Sequence, residues 1–370
     1  MPVQQCTSAI NKNTPLQSCL LLHATEETFT ITALDTRTSQ LTLKVPEAVT
    51  FQVGRALVNA DTLNHLLSTF PDEPITLSVD EQKNLLTLQV GNVTTDIELF
   101  NEPPSAFPVN LDLPPMVTTI DGERFSECIK KAMLLSGNKN EFITIKANTA
   151  NSSVDIYTSH EGRLFSRTTV QALEESYDWS VAIPTYLFGK LPRNMVGEAE
   201  LCIDNKTKDF AIVSGPEHLV IHNFATDNTS THIDTIIDMQ PTGSFVIKSD
   251  ALNQDIKRAM FINDRRGLKL SPDGQRIKAT CGTAGKAHIR GSYYDINYQD
   301  GDLEVVNIDP KVLSRALGGL GANTLVIEQL KTEIPSIDPN EEPDIFYNLR
   351  IQDEDQPEFR QIIMTTLAVT

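Results

Sequence analysis

The side chains in this chain that could do chemistry come mainly as paired cations. Lys130-Lys131 and Lys257-Arg258 lie inside two versions of one pentapeptide. These are Ile129-Lys130-Lys131-Ala132-Met133 and Ile256-Lys257-Arg258-Ala259-Met260, 127 residues apart. Adjacent fixed positive charges suit phosphate, a task that needs no nucleophile and no base edge. Groups for covalent chemistry are scattered. The seven histidines do not cluster, no carboxylate pair stands out, and neither HExxH nor GxxxxGK[ST] occurs. His160-Glu161 is an adjacent polar pair in a tight turn, and an enzyme reading requires distant residues to converge on it. Gly318-Gly319-Leu320-Gly321 follows a helical stretch instead of opening one, so it reads as a C-terminal cap. The five cysteines, at 6, 19, 128, 202 and 281, show no metal spacing and read as reduced thiols of a cytoplasmic chain. No metal or cofactor is expected. No signal peptide and no long apolar run is present, so no membrane span is expected.

Both pentapeptides need a helix to present them. Phe125, Cys128, Ile129, Ala132 and Met133 form one apolar stripe, and Leu252, Ile256, Ala259 and Met260 form another. Each follows a short β-type run and a polar cap, Asp121 or Ser249. Three further helical patterns begin at Asn59, Pro184 and Asp309, each 125 residues after the last. Each of these also follows a β-like run: FQVGRALV, WSVAI and LEVVNI. The chain therefore reads as three tandem domains, at 1–116, 117–240 and 241–370. Counting back one period from Ile129 places the first helix at PVQQCTSAI, so the first domain is expected to lack the strand that precedes this helix in the others.

Between the helices, alternating segments read as strands, for example CLLLHA, TFTITAL, FITIKA, SVDIYTS, TLVIEQL and FRQIIMT. Strands outnumber helices, so the fold class is α+β, with antiparallel sheet and two helices on one face of each domain. Glu102–Met116, rich in proline, reads as an extended linker, and the stretch from Ala225 to Asp234 as a second. The stretch from Lys331 to Asp344 reads as a long acidic hairpin loop.

Net charge is −18, which argues against wholesale nucleic-acid binding. The sign is not uniform. Lys130, Lys131, Lys190, Arg193, Lys257, Arg258, Lys311 and Arg315 fall on the helices of the second and third domains, while acids crowd the loops. Such a field concentrates phosphate on one surface only.

Local wording along the chain resembles one family. Asn13-Thr14-Pro15-Leu16 with Cys19–Leu22 resembles a TLPIL…NLLL segment, and Thr32–Asp35 the strand and TDL turn after it. Ser105-Ala106-Phe107-Pro108 resembles an ADFP, and Ser159–Leu164 a TDGHRL turn. Val306-Asn307 resembles a GFN segment, and Ile362-Ile363-Met364 a VVMPM ending. These segments, in order and with the 125-residue period, resemble the bacterial DNA polymerase III beta subunit, the sliding clamp. The resemblance implies a homodimeric ring of six domains around double-stranded DNA, held without sequence preference, with no active site. DNA-facing residues would be Lys12, Arg124, Lys130, Lys131, Lys139, Lys190, Arg193, Lys257, Arg258, Lys311 and Arg315. DNA polymerase, the clamp loader and other clamp-binding-motif proteins would dock peptides in a pocket of Phe142, Ser159, Glu161, Arg163, Leu164, Asn307, Ile363 and Met364. The dimer interface would pair Ile97 and Leu99 with Met260 and Phe261.

The sequence departs from the family in places. The helix at 59–70 carries no Lys or Arg. The tail has Met364-Thr365-Thr366-Leu367 in place of Met-Pro-Met-Arg-Leu. Asp234-Thr235-Ile236-Ile237 stands where the family has DYRR. These departures motivate the alternative reading, a clamp-like paralogue that acts as a protein scaffold without encircling DNA.

Overall fold

The computed structural model describes residues 2–10, 14–35, 39–46, 48–71, 73–109, 113–136, 141–174, 177–189, 195–222, 224–225, 230–262, 267–282, 288–334 and 343–365. In chain order the elements are α1 (Pro2–Ala9), β1 (Cys19–Ala24), β2 (Phe29–Asp35), β3 (Ser39–Lys44), β4 (Gly54–Asn59), α2 (Ala60–Thr69), β5 (Thr76–Asp80), β6 (Leu85–Val90) and β7 (Val93–Glu98). Then come β8 (Met116–Asp121), α3 (Gly122–Ser136), β9 (Phe142–Asn148), β10 (Ser153–His160), β11 (Leu164–Gln171), β12 (Ser180–Pro184), α4 (Thr185–Phe188), β13 (Glu198–Asp204), β14 (Asp209–Ser214) and β15 (Glu217–His222). The remainder is α5 (Ser230–Ile237), β16 (Gly243–Lys248), α6 (Ser249–Ile262), β17 (Leu268–Asp273), β18 (Arg276–Cys281), β19 (Ile289–Asp295), β20 (Tyr298–Gly301), β21 (Val306–Ile308), α7 (Pro310–Leu320), β22 (Thr324–Ile334), β23 (Asp344–Asp353) and β24 (Phe359–Ile363). Every strand pairing described is antiparallel, so the α+β class holds.

The described chain forms two compact units, and neither follows the 125-residue period. The first comprises residues 1–126, 172–176 and 186–225, and the second the rest. The sheets explain this division. In the first unit an eight-stranded sheet runs β4-β1-β2-β3-β15-β14-β13-β8. It joins β3 to β15, strands from the expected first and second domains, through pairs such as Leu219 with Leu41. In the second unit a nine-stranded sheet runs β12-β9-β10-β11-β24-β23-β22-β16-β20 and joins β11 to β24 in the same manner. A β5-β6-β7 sheet completes the first unit and a β19-β18-β17-β21 sheet the second.

Helix boundaries follow local chemistry. Asp121 accepts the Arg124 N–H at 2.8 Å, and Asn59 accepts the Thr62 N–H at 3.0 Å. Asp309 caps α7, Pro310 opens it, and Gly321 closes it at φ +64, its N–H on the Leu317 carbonyl. The glycine-rich run is thus a helix end, as expected. Ser249 differs from its expected role. It lies inside α6 and its hydroxyl donates to the Ala322 carbonyl at 2.7 Å. At Pro184 the described helix is the single turn α4; residues 190–194 lie outside the described residues.

Both expected linkers turn out to be partly built in. Phe107 is buried with Cys19, Leu21, Leu34 and Leu57, because a proline-rich segment can still carry one large apolar anchor. In the second, α5 buries Ile233, Ile236 and Ile237 against Tyr157, Phe165, Leu330 and Ile362. Its 3.6-residue apolar spacing outweighs the polar residues that suggested a loop. The segment Lys331–Ile334 continues β22, and the rest of the expected acidic loop, 335–342, lies outside the described residues.

Candidate functional site

The expected phosphate-facing cations do not all share one fate. Lys130 is exposed on α3, and Lys257 on α6, since the apolar stripe of each helix faces the core. Lys311 is exposed in the first turn of α7. Arg124 is half-buried near the start of α3, and Arg315 is half-buried with an Nη 3.5 Å from the Leu135 carbonyl. Lys131 departs from the expectation. Its side chain is only 16 % exposed, its Nζ lies 3.0 Å from Glu127, and it donates to Gln356 at 2.8 Å. The ammonium also sits 3.6 Å from the centre of the Phe359 ring. A charge held by a carboxylate, an amide and a π face has little left for a ligand. Lys12, Lys139, Lys190 and Arg193 lie outside the described residues.

Arg258, the counterpart of Lys131 in the second pentapeptide, is 60 % exposed yet anchored, with an Nη 2.7 Å from Asp255. Asp255 is almost fully buried and also accepts the Tyr294 hydroxyl at 2.6 Å. Burial works against ionisation of Asp255, but hydrogen bonds from Ser292, Tyr294 and Arg258 outweigh it and hold the carboxyl below the ordinary aspartate range. Burial, with Asp255 alongside, pushes the Tyr294 phenol well above its ordinary value.

Seven of the eight residues expected to form a peptide pocket lie at one end of the nine-stranded sheet or in its β10–β11 turn, and Asn307 lies in β21 of the four-stranded sheet. Leu164 pairs with Ile363 across β11 and β24, and the Met364 N–H donates to the Arg163 carbonyl at 2.8 Å. The exposed Arg163 guanidinium reaches Asp309 at 3.3 Å, which ties the β10–β11 turn to the start of α7. Asn307 sits half-buried in β21, two residues before that cap. Ser159 faces Phe165 in the ladder, and Phe142 is exposed at the start of β9. Glu161 is exposed in a turn with Gly162, both at positive φ. Leu164 and Ile363 are themselves buried, so they can form only the floor of a pocket; Met364 packs at the edge of the α5 cluster.

The His160-Glu161 pair does not make an acid–base couple. The His160 Nδ1 lies 2.7 Å from the Ser136 carbonyl and 3.2 Å from Glu141, while the Glu161 N–H donates to that same Glu141 carboxylate. All five cysteines are buried thiols; burial pushes Cys19 and Cys202 up to about 11 and Cys6 further. Among the described residues no group of His, Cys, Asp and Glu could hold a metal, and no helix is long and apolar enough to cross a membrane.

Of the expected interface residues, Phe261 is 87 % exposed and Met260 is also exposed. Leu99 is half-buried just past β7, its N–H on the Asn84 carbonyl, and Ile97 departs further from the expectation. It is 5 % exposed and faces inward opposite Leu86. The strand's alternation turns Asp96 and Glu98 outward in its place. The period-2 pattern of β7 already marked Asp96 and Glu98 as the outward side chains, a signal that weighting the apolar residues passed over.

Comparison with known proteins adds the following. Residues 1–109 match the family described as DNA polymerase III beta subunit, N-terminal domain. No curated protein matches. The beta subunit of DNA polymerase from Streptococcus pyogenes superposes with a TM-score of 0.79 at 15 % identity, covering 99 % of this chain and 96 % of that one. A sliding clamp of Pseudomonas aeruginosa, DNA polymerase III subunit beta bound to griselimycin, gives 0.79 at 14 % identity with the same coverage. The sliding clamp of Bacillus subtilis gives 0.77 at 12 %, again over 99 % and 96 %. The chain has the fold of these beta subunits along its whole length.

Proposed function

We propose that this chain, with the DNA polymerase III beta fold throughout and that family's N-terminal domain in residues 1–109, is a DNA sliding clamp. The observation that carries the reading is fold agreement over 99 % of the chain. The chain would work as a non-enzymatic cytoplasmic scaffold. Three repeats per chain and two chains would form a ring, and topology instead of affinity would keep it on duplex DNA. Lys130, Lys257 and Lys311 would face phosphates as point charges, so binding would weaken with salt and ignore sequence. DNA polymerase, a clamp loader and other motif-bearing proteins would dock extended peptides at the rim built by Phe142, Glu161, Arg163 and Met364 over the Leu164–Ile363 floor.

The test is retention on DNA. The purified chain, loaded on nicked circular duplex, is expected to stay through a wash that removes it from linear duplex, where a ring slides off the ends. The triple variant Lys130→Ala, Lys257→Ala, Lys311→Ala is expected to lower the steepness of salt-dependent loss by about two to three counterions per chain, about five for a ring of two. Equal loss from circular and linear DNA would overturn the reading and leave the protein-scaffold alternative, which the absence of Lys and Arg from α2 favours.

A further inference from the structure

One order of elements recurs along the chain, and it is incomplete once. β8 leads into α3, then come β9–β12, α4 and β13–β15; β16 leads into α6, then come β17–β21, α7 and β22–β24. In both, the leading strand lies antiparallel on the strand that follows the second helix, β8 on β13 and β16 on β22. The remaining stretch runs α1, β1–β4, α2 and β5–β7. Here the strand after the second helix is β5. It ends its sheet and bonds to β6 alone. Among the described residues nothing pairs with its other edge.

The side chains of β5 register the open edge. Leu77 and Val79 stand opposite Leu88 and Leu86, so they point to the same face, and both partners are buried. Leu77 and Val79 themselves are 37 % and 43 % exposed. Their counterparts are covered. Leu201 is buried opposite Thr118 of β8, and Leu325 opposite Ile247 of β16.

We propose that the free edge of β5 accepts an extended strand from another polypeptide. The guest is about six residues long, the length of β8 and of β16, and runs antiparallel to β5. Unpaired backbone groups on β5 supply the ladder, and apolar residues at alternate guest positions cover Leu77 and Val79. Charge adds one further demand. Glu73 is exposed just before β5, whereas Asp80 at the other end already holds Lys83 at 3.1 Å. The last residue of an antiparallel guest lies beside Thr76, as Lys248 lies beside Thr324, so a basic residue there faces the Glu73 side. Two β5 edges set on each other fail this demand, because Glu73 would meet Asp80 and Glu81, like charge on like. The proposal goes beyond the clamp reading and does not depend on it.

Hydrogen exchange of the full chain tests it, with an acetylated peptide of residues 242–249 as the probe. That peptide is β16 with one flanking residue at each end, and it carries Phe245, Ile247 and Lys248 at the required places. At about ten times its Kd, the peptide is expected to slow exchange of β5 amides about tenfold and to leave β13 and β22 unchanged. Leu77→Lys with Val79→Lys is expected to abolish this protection, with a thermal melt to show that the variant folds. Changes in the peptide leave the protein untouched: Ile247→Pro is expected to abolish protection and Lys248→Glu to weaken binding several-fold. No added protection at β5, or equal protection by the Ile247→Pro peptide, overturns the proposal. So do β5 amides that already exchange slowly in the chain alone: if at every concentration, the edge is closed within the chain, and if only at high concentration, by a second copy.

Discussion

Helices α3 and α6 present the same pentapeptide with different outcomes at its second cation. In α3, Lys131 turns inward to Glu127, Gln356 and Phe359. In α6, Arg258 stays largely in solvent and is held at its base by Asp255. The residue three before the cation accounts for part of this. That position is Asp255 in α6 and Cys128 in α3, both buried. An ionised buried carboxylate gives the guanidinium a partner on its own helix and takes a second bond from Tyr294. In α3 the nearest helical acid is Glu127, one turn earlier, and the chain of β24 supplies an aromatic face. The first cations, Lys130 and Lys257, are exposed in both helices. Repeat symmetry therefore extends to one basic position and fails at the next.

The largest break in this comparison is expected from Asp255→Ala. It strips the Tyr294 hydroxyl and Arg258 of a shared buried acceptor, and should cost about 2–3 kcal/mol in urea unfolding. A loss within about 0.5 kcal/mol would show that the anchor contributes nothing. The acid limb sharpens the same contrast. The Asp255 carboxyl is held below the aspartate range in the folded chain, so its contribution is present above the unfolded value of about 3.9 and fades as pH falls through the folded value. Asp255→Asn should flatten stability against pH on that limb, whereas Cys128→Ala in α3 should leave its slope unchanged. Lys131→Met is the smallest change. It keeps an unbranched apolar side chain and loses the ion pair and cation–π contact, for about 1 kcal/mol or less. Retention on circular DNA should be unaffected by it, and a loss as large as that of Lys130→Ala would return Lys131 to the phosphate-facing set.

Much of the fold was legible because its signals are local. The caps Asp121, Asn59 and Asp309 and the terminator Gly321 act within a few residues. Strand alternation and the helical stripes likewise need only neighbours. Two segments misled for the opposite reason. Phe107 and the isoleucines of α5 acquire meaning only from distant sheet residues that bury them.

What the sequence determined alone was the α+β class, the 125-residue recurrence of helical patterns, and which helices carry basic residues, since all three are written in periodicity and residue type. What only the tertiary structure decided was the direction of individual charges and the continuity of the sheets. Lys131 looks like Lys130 in the sequence, and β3 gives no hint that it pairs with β15. Side-chain direction and strand partnership depend on residues hundreds of positions away, and free energy at those contacts, not local propensity, selects them.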